Sequence, residues 1–279
     1  HPKDMQDGKT TVSNRDITTN LPYREEVHLC FDHHLSETLR STAVKTNHII
    51  DPTAPSAARV VWKHYGGHDA FPRAWDEMME QVDKADSAQF KMHDIIEPDG
   101  WVLLNFLMDA RTGLGRFHDF RISNYQLMMD LIDHCRTMNI RDLLALPDVQ
   151  ERVALYEAQD ELYRLQLKRC CTVHGPLVVL DLRNEETIYS SNRFMIYAMH
   201  AGCTISMHVM NGFKKQNTVF AVGKSILNRN NHSNIGALML EYDGGGHENA
   251  GTCQIDNDQA ETIKTTLISR IVEEAQFEQ

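Results

Sequence analysis

Asp32, His33 and His34 follow one another where the apolar run from Val27 to Phe31 ends. Three titratable side chains in a row are costly to bury unless each finds a partner. Carboxylate and imidazole are also the donors that bind divalent metals and move protons. Far along the chain, Gly244, Gly245 and Gly246 run directly into His247 within the stretch EYDGGGHENAGTCQI. Glycines let a backbone approach a ligand closely and present its N–H groups, a common way to hold phosphate, and the imidazole adds a donor for the same anion. Alone, four such residues also fit a flexible turn.

The net charge of -11 argues against a wide basic surface for long nucleic acids, whose affinity comes largely from neutralising phosphates. It leaves room for a small anionic substrate in a local positive cleft. One such region exists: from Thr187 to Leu240 there is no Asp or Glu, while Arg193, Lys214, Lys215, Lys224 and Arg229 all fall inside it. A basic surface balanced elsewhere in the molecule is the competing reading of that segment.

The elements that must position these residues are legible in the patterning. The 279 residues suffice for two domains of ordinary size. The sequence is 42% hydrophobic and 24% charged, the balance of a soluble globular protein, and no apolar run has the roughly 18 residues needed to span a bilayer. None of the six cysteines, Cys30, Cys135, Cys170, Cys171, Cys203 and Cys253, sits in a C-x-x-C pair, so free thiols and a cytoplasmic location are expected. In the first part, DITTN and VHLCF read as short buried strands. APSAARVVWKHYGG reads as a helix with Pro55 near its start and Gly66-Gly67 as its stop. AFPRAWDEMMEQVDKADSAQF is a second helix, with Trp75, Met78, Met79 and Val82 at helical spacing. Residues 123–170 are strongly helical and broken at Pro147. After them GPLVVLDLR, RFMIYAMH, CTISMHVM and NTVFAVGKS are apolar, β-branched runs. SNIGALMLEY then reads as a helix, GTCQID as a strand, and DQAETIKTTLISRIVEEAQ as a closing amphipathic helix.

Taken together and in this order, Asp32-His33-His34 and Gly244-Gly245-Gly246-His247 resemble the DHH phosphoesterase family, which includes RecJ-type exonucleases, nanoRNases, cyclic-dinucleotide phosphodiesterases and exopolyphosphatase-like proteins. The resemblance covers nearly the whole chain. It implies two α/β domains joined by a helical connector: a parallel-sheet DHH domain over 1–122, a connector over 123–171, and a smaller mixed-sheet DHH-associated domain over 172–279, with the active site in the cleft between domains. It further implies two divalent ions, usually Mn²⁺. His33 would be a metal ligand, His34 would face the metals or the scissile phosphate, and Asp32 would orient both histidines. The family acid in an Asp-Thr-Gly-x-Phe-like pattern matches DSAQF, making Asp86 the candidate ligand and Asp83, one turn earlier, its reserve. Gly244, Gly245, Gly246 and His247, with Lys224 or Arg229, would hold substrate phosphate.

Two departures from the family pattern bear on activity. The strand before the DHH strand carries a metal-bridging Asp in the family, and the matching position here is Asn20, with Asp16 four residues earlier. The family also opens with an Asp-x-Asp motif, whereas HPKDMQDGK offers only Asp4 and Asp7 and resembles the segment just after the family's first helix. The written chain is therefore expected to begin after that motif and to be catalytically impaired, with one metal ion or none. The function expected is metal-dependent hydrolysis of phosphodiester bonds in dinucleotides or short oligonucleotides. The alternatives are exopolyphosphatase or nucleotide-bisphosphate phosphatase activity, and a nucleotide-binding module with a degraded metal site. The partner is a small anionic nucleotide or phosphate substrate, not a long nucleic acid or a membrane, and a homodimer is left open.

Overall fold

The computed structural model describes residues 4–5, 8–34, 38 and 45–276. Asp7 lies outside them. The chain divides into two compact units, 1–89 and 90–279, and the expected boundaries at 122/123 and 171/172 both fall inside the second.

The first unit is built on a parallel sheet in the order β1 (Ile17–Thr19), β2 (Leu29–Asp32), β3 (His48–Ile50). β1 and β2 are the strands expected from DITTN and VHLCF; β3 was not expected. Helix α1 (Ala57–His64) covers the sheet. The Ser56 hydroxyl accepts from the Arg59 N–H at its start, and Lys63 and His64 sit in its last turn, each where cap chemistry and the helix dipole favour it. Gly66, at φ 96°, takes the left-handed conformation that ends the run. Phe31, Ala54 and Val60 form the small core, with Leu29, Ile49 and Val61 packed on it. Helix α2 (Asp76–Asp86) comes after a single 3₁₀ turn at Arg73–Trp75. It stops at Asp86 rather than running on to Phe90, because Ala88 takes a positive φ of 51°.

In the second unit, helices α3 (Met92–Ile96), α4 (Gly100–Met108), α5 (Asn124–His134), α6 (Ile140–Leu144) and α7 (Pro147–Cys170) make a helical body. Leu104, Leu107, Leu127, Leu131, Leu143, Val149 and Val153 meet in its core. Pro147 does not merely break the pattern. It opens the 24-residue α7 at a position where its missing N–H costs nothing.

α7 leads into a six-stranded mixed sheet with strand order β4 (Cys171–His174), β5 (Leu177–Asp181), β6 (Ile205–Asn211), β7 (Thr218–Lys224), β9 (Ala250–Ile255), β8 (Gly245–His247). β5 and β6 are parallel and the remaining pairs antiparallel. RFMIYAMH corrects the expectation of a strand: it contains helix α8 (Met195–Met199). Its one β-branched residue, Ile196, stands among Met, Tyr and Ala, and a parallel β5–β6 pair requires a crossover there. Helices α9 (Ile235–Leu240) and α10 (Ala260–Gln276) cover one face of the sheet. Leu177, Val179, Ile205, Met207, Val209, Phe220, Val222 and Cys253 enter a core with Ile235, Leu238, Met239, Leu267 and Ile271. The six cysteines are free. No helix among the described residues is long and apolar enough to cross a membrane.

Candidate functional site

Asp32 is the last residue of β2 and is fully buried. Its backbone carbonyl accepts from the Asp51 N–H after β3, which fixes the strand end. Its Oδ1 accepts from the N–H groups of His33 (2.8 Å) and His34 (3.2 Å) and from Nδ1 of His34 (2.6 Å). Burial alone would push this carboxyl up. The hydrogen bond and charge of His34 and the two backbone donors outweigh it and hold Asp32 below the ordinary carboxylate range. The buried carboxylate therefore sets the turn that presents both histidines.

His33 Nδ1 lies 3.1 Å from the Ala54 carbonyl. A proton on Nδ1 bonded there leaves Nε2 as the outward lone pair, the usual support for a metal-binding imidazole. Nε2 sits 3.2 Å from Asp86 Oδ2. The hydrogen bond that the protonated ring donates to Asp86 raises His33 above its ordinary pKa despite partial burial. Two donors about 2.1 Å from one octahedral ion lie about 3 Å apart, so the imidazole and carboxylate fit adjacent positions on one ion, and this donor pair suits Mn²⁺. The His34 ring centroid is 4.9 Å from that of His33. Asp86 is the final residue of α2, where the helix dipole disfavours a carboxylate. Among the described residues no group of three or more His, Cys, Asp or Glu side chains is arranged to hold a metal, so these two donors would by themselves supply one edge of a coordination shell.

Asp83 is committed elsewhere. Its Oδ1 accepts from the Ser56 hydroxyl at 2.6 Å and its Oδ2 from Nε (2.8 Å) and Nη2 (2.5 Å) of Arg59. It ties α2 to the start of α1. Asp83→Ala is expected to destabilise the protein by about 2–3 kcal/mol, because a partly buried guanidinium loses its partner, while the Mn²⁺ binding isotherm stays unchanged. A weakened isotherm at unchanged stability would return Asp83 to the ligand set. Asn20 directly follows β1, its N–H donates to the Phe31 carbonyl at 2.9 Å, and its φ is 57°. It thus stands beside the Asp32 end of β2. Asp16 stands at the opposite end of β1, accepting from Ser13 N (2.7 Å) and Oγ (2.9 Å).

In the second unit the triple glycine divides its roles. A Cβ on Gly244 would lie 2.2 Å from the Thr252 carbonyl oxygen, and one on Gly246 2.3 Å from that of Ala250. Both glycines are required by close packing within the chain. Only at Gly245 would a Cβ meet nothing within 4 Å. Register explains the difference. Gly246 pairs with Gly251 on the side of Cys253, facing the core, whereas Gly245 and His247 pair with Thr252 and Ala250 on the opposite face. Across the sheet that face continues through Ala221 and Gly223 to His208 and Ser206. It is a floor of small residues edged by polar ones. His247 is exposed, and its Nδ1 accepts from the Asn249 N–H at 3.3 Å, which leaves the ring proton on Nε2.

Lys224 shares the register of Phe220 and Val222, whose side chains enter the core, and its Nζ lies 3.4 Å from Glu248 Oε1. Arg229 donates from Nε to the Ile226 carbonyl at 3.0 Å. Register places Lys224 on the core side, away from the floor with His247. Ser206 and His208 were missed as candidates. Their signal is the alternation in ISMHV, which sets Ser206 and His208 two apart between apolar neighbours.

No family model matches the chain, and no curated protein matches it. Among solved structures, it is similar to the pGpG-specific phosphodiesterase PggH from Vibrio cholerae, with 56% identity, a TM-score of 0.85, and coverage of 98% of this chain and 89% of that one. A DHH domain from a member of the s1p family of ribosomal proteins matches at 11% identity and a TM-score of 0.53, covering 88% of this chain and 63% of that one. An exopolyphosphatase-related protein from Bacteroides fragilis matches at 13% identity and a TM-score of 0.45, over 89% and 65% of the two chains.

Proposed function

The chain belongs to the DHH phosphoesterase family, and on that premise we propose that it is a Mn²⁺-dependent phosphodiesterase that hydrolyses the linear dinucleotide pGpG to two molecules of GMP. The observation that carries the reading is the similarity over almost the entire chain to a pGpG-specific phosphodiesterase. The acidic net charge suits a short substrate better than a long strand.

His33 and Asp86 would hold the ion, which when bound stabilises the charge developing on the scissile phosphate. Asp32 keeps the two imidazoles in place through bonds to their backbone and to the His34 ring. That ring's hydrogen bond to Asp32 raises His34 above its ordinary pKa. With Nδ1 so occupied, His34 directs Nε2 outward and can hold a proton there for the phosphate or its leaving oxygen. In the second unit His247 presents its Nε2 proton from the open face, and Gly245 lets a ligand approach the backbone.

The test uses the full-length protein with excess Mn²⁺ against pGpG, inorganic polyphosphate and a 25-nucleotide RNA, with products resolved by anion exchange. GMP should form from pGpG and the other two should remain intact. EDTA should abolish turnover and Mn²⁺ should restore it. Faster release of phosphate from polyphosphate, or turnover indifferent to EDTA, would overturn the reading.

A further inference from the structure

Helix α5 is apolar on two sides. Leu127 and Leu131 enter the core of the helical body, as an amphipathic surface helix requires. Tyr125, Met128, Met129 and Ile132 stand at i, i+3, i+4 and i+7 on another side, where they are 73%, 48%, 45% and 61% exposed. No other helix among the described residues carries four exposed large apolar side chains. Single exposed apolar residues are ordinary on a protein surface, whereas a continuous stripe marks an interaction site. At those exposures the stripe leaves roughly 500 Å² open to water, the size at which a patch on a monomer is often functional. The helix presents it firmly. The Ser123 hydroxyl accepts from the Gln126 N–H at its start, and the buried Arg152 donates to Asn124 Oδ1 (3.0 Å) and to the Ile122 carbonyl. A surface ordered in advance loses little freedom on binding.

The stripe is its own complement. Its three-one-three spacing reads the same from either end. Two copies of α5 packed antiparallel about the point between Met128 and Met129 set Tyr125 against the partner's Ile132 and Met128 against the partner's Met129. Such a contact is two-fold symmetric and closes on itself. An aromatic anchor beside adaptable thioethers has the composition enriched at interface centres. The two stripes together would remove roughly 1,000 Å² from water, which reaches the floor for a specific interface.

A charge favours the same partner and the same direction. Asp133 lies in the last turn of α5, where the helix dipole disfavours a carboxylate. Its side chain is 84% exposed, and Arg136 stands 4.0 Å away. The antiparallel register puts Asp133 level with the partner's Asn124, at the N-terminal end of that helix, where the dipole favours an acid. A parallel pairing would instead bring two copies of Asp133 together at the negative ends of both helices.

We infer that α5 is the contact of a two-fold homodimer, in which the helices of two copies pack antiparallel and cross at Met128 and Met129. The inference goes beyond the hydrolytic reading and does not depend on it.

The test is sedimentation velocity on the full chain over about 0.5 to 50 µM, where the mass should rise to twice the 32.0 kDa of one chain. Met129→Lys sets two ammonium groups face to face across the two-fold axis and should raise the dissociation constant at least about 100-fold. Asp133→Lys has effects of opposite sign. A lysine suits the end of its own helix, so the melting midpoint measured at dilution should hold or rise, yet association should weaken about tenfold because the lysine meets the partner helix's N-terminus. A purely structural role for Asp133 would lower the midpoint and leave association alone.

Cross-linking checks the register. With helix axes about 9 Å apart, the two copies of position 129 come within about 6 Å, Cα to Cα, which a disulfide spans, while the two copies of position 125 lie about 10 Å apart along the axis. Under copper-phenanthroline, Met129→Cys should link into a dimer and Tyr125→Cys should not, each judged against the unmodified protein. Should Met129→Lys fail to fold by circular dichroism, Asp133→Lys and the two cysteine variants decide the matter. A monomer throughout the concentration range would overturn the inference and leave the stripe to a different protein. A dimer indifferent to both lysine variants would overturn it by placing the contact elsewhere, and linkage through Tyr125→Cys would overturn the antiparallel register. Turnover of pGpG bears on the proposed function alone.

Discussion

Replacing His33 by alanine is expected to lower kcat/KM for pGpG by at least about 10³-fold while shifting the melting midpoint by only a few degrees. The expectation comes from geometry. The His33 ring is held on one side by the Ala54 carbonyl and on the other by Asp86, and removing one of the two proposed ligands would forfeit the electrostatic stabilisation that a bound ion gives to phosphate chemistry. Asp86→Asn should cost a similar factor, and the double variant little more, if the two side chains share one ion and so act as a unit. Mn²⁺ titration and steady-state kinetics on the three variants check this. Losses that multiply in the double variant would mean that the two side chains act separately. The same pair predicts a pH dependence. Asp86 raises His33 above its ordinary value of 6.5, the protonated ring cannot ligate, and binding must release that proton. Mn²⁺ affinity should therefore weaken as pH falls through that raised value and continue to weaken below it.

The second large effect concerns the glycines. Gly246→Ala and Gly244→Ala are each expected to destabilise the protein by roughly 3 kcal/mol or more, and Gly245→Ala by less than about 1 kcal/mol. A methyl on Gly246 would sit 2.3 Å from the Ala250 oxygen and 2.4 Å from Gly251 Cα. One on Gly244 would meet the carbonyl oxygens of Thr252 at 2.2 Å and Met239 at 2.8 Å. These are backbone atoms of neighbouring elements, which cannot rotate away as a side chain can. Gly245→Ala should fold normally and lower pGpG affinity, since its methyl would project from the face that carries His247, the face proposed above to meet substrate. Urea unfolding midpoints at constant m-value separate the three. Equal destabilisation by all of them would refute the division of roles drawn from the register.

Much of this was legible in the sequence. The two motifs, the alternation of elements and the acid of DSAQF were visible through local pattern and family resemblance, and the structure sets that acid, Asp86, 3.2 Å from His33 Nε2. β3 escaped notice because a three-residue strand leaves almost no periodicity. RFMIYAMH misled because an apolar pentapeptide has no clear period, and only the parallel pairing of its flanking strands requires a helix. The triple glycine read as a phosphate-holding turn, with a flexible turn as the alternative, yet at two positions the reason for glycine is packing against backbone four to eight residues away along the chain. The pairing of Arg193 with Asp109 spans 84 residues, 193 less 109, and no local signal joins two such distant residues. Whether Lys224 faces a ligand or the core is a question of strand parity, fixed only once β6, β7 and β9 are aligned.

That parity limits how the protein can change. In β6, β7 and β9 every second side chain belongs to the core and every other one to the face with His247, so adding or deleting a single residue within a strand would exchange the two sets at once. Phe220 would be turned out and Ala221 turned in; Cys253 and Thr252 would trade places. The face that carries His247 can change by substitution at Ala221, Gly223, Gly245 or Thr252, or by lengthening the connections between strands, but the strands themselves tolerate no change of length. Natural relatives with altered specificity should accordingly differ in side chains and loop sizes here, with strand lengths in β6, β7 and β9 held constant.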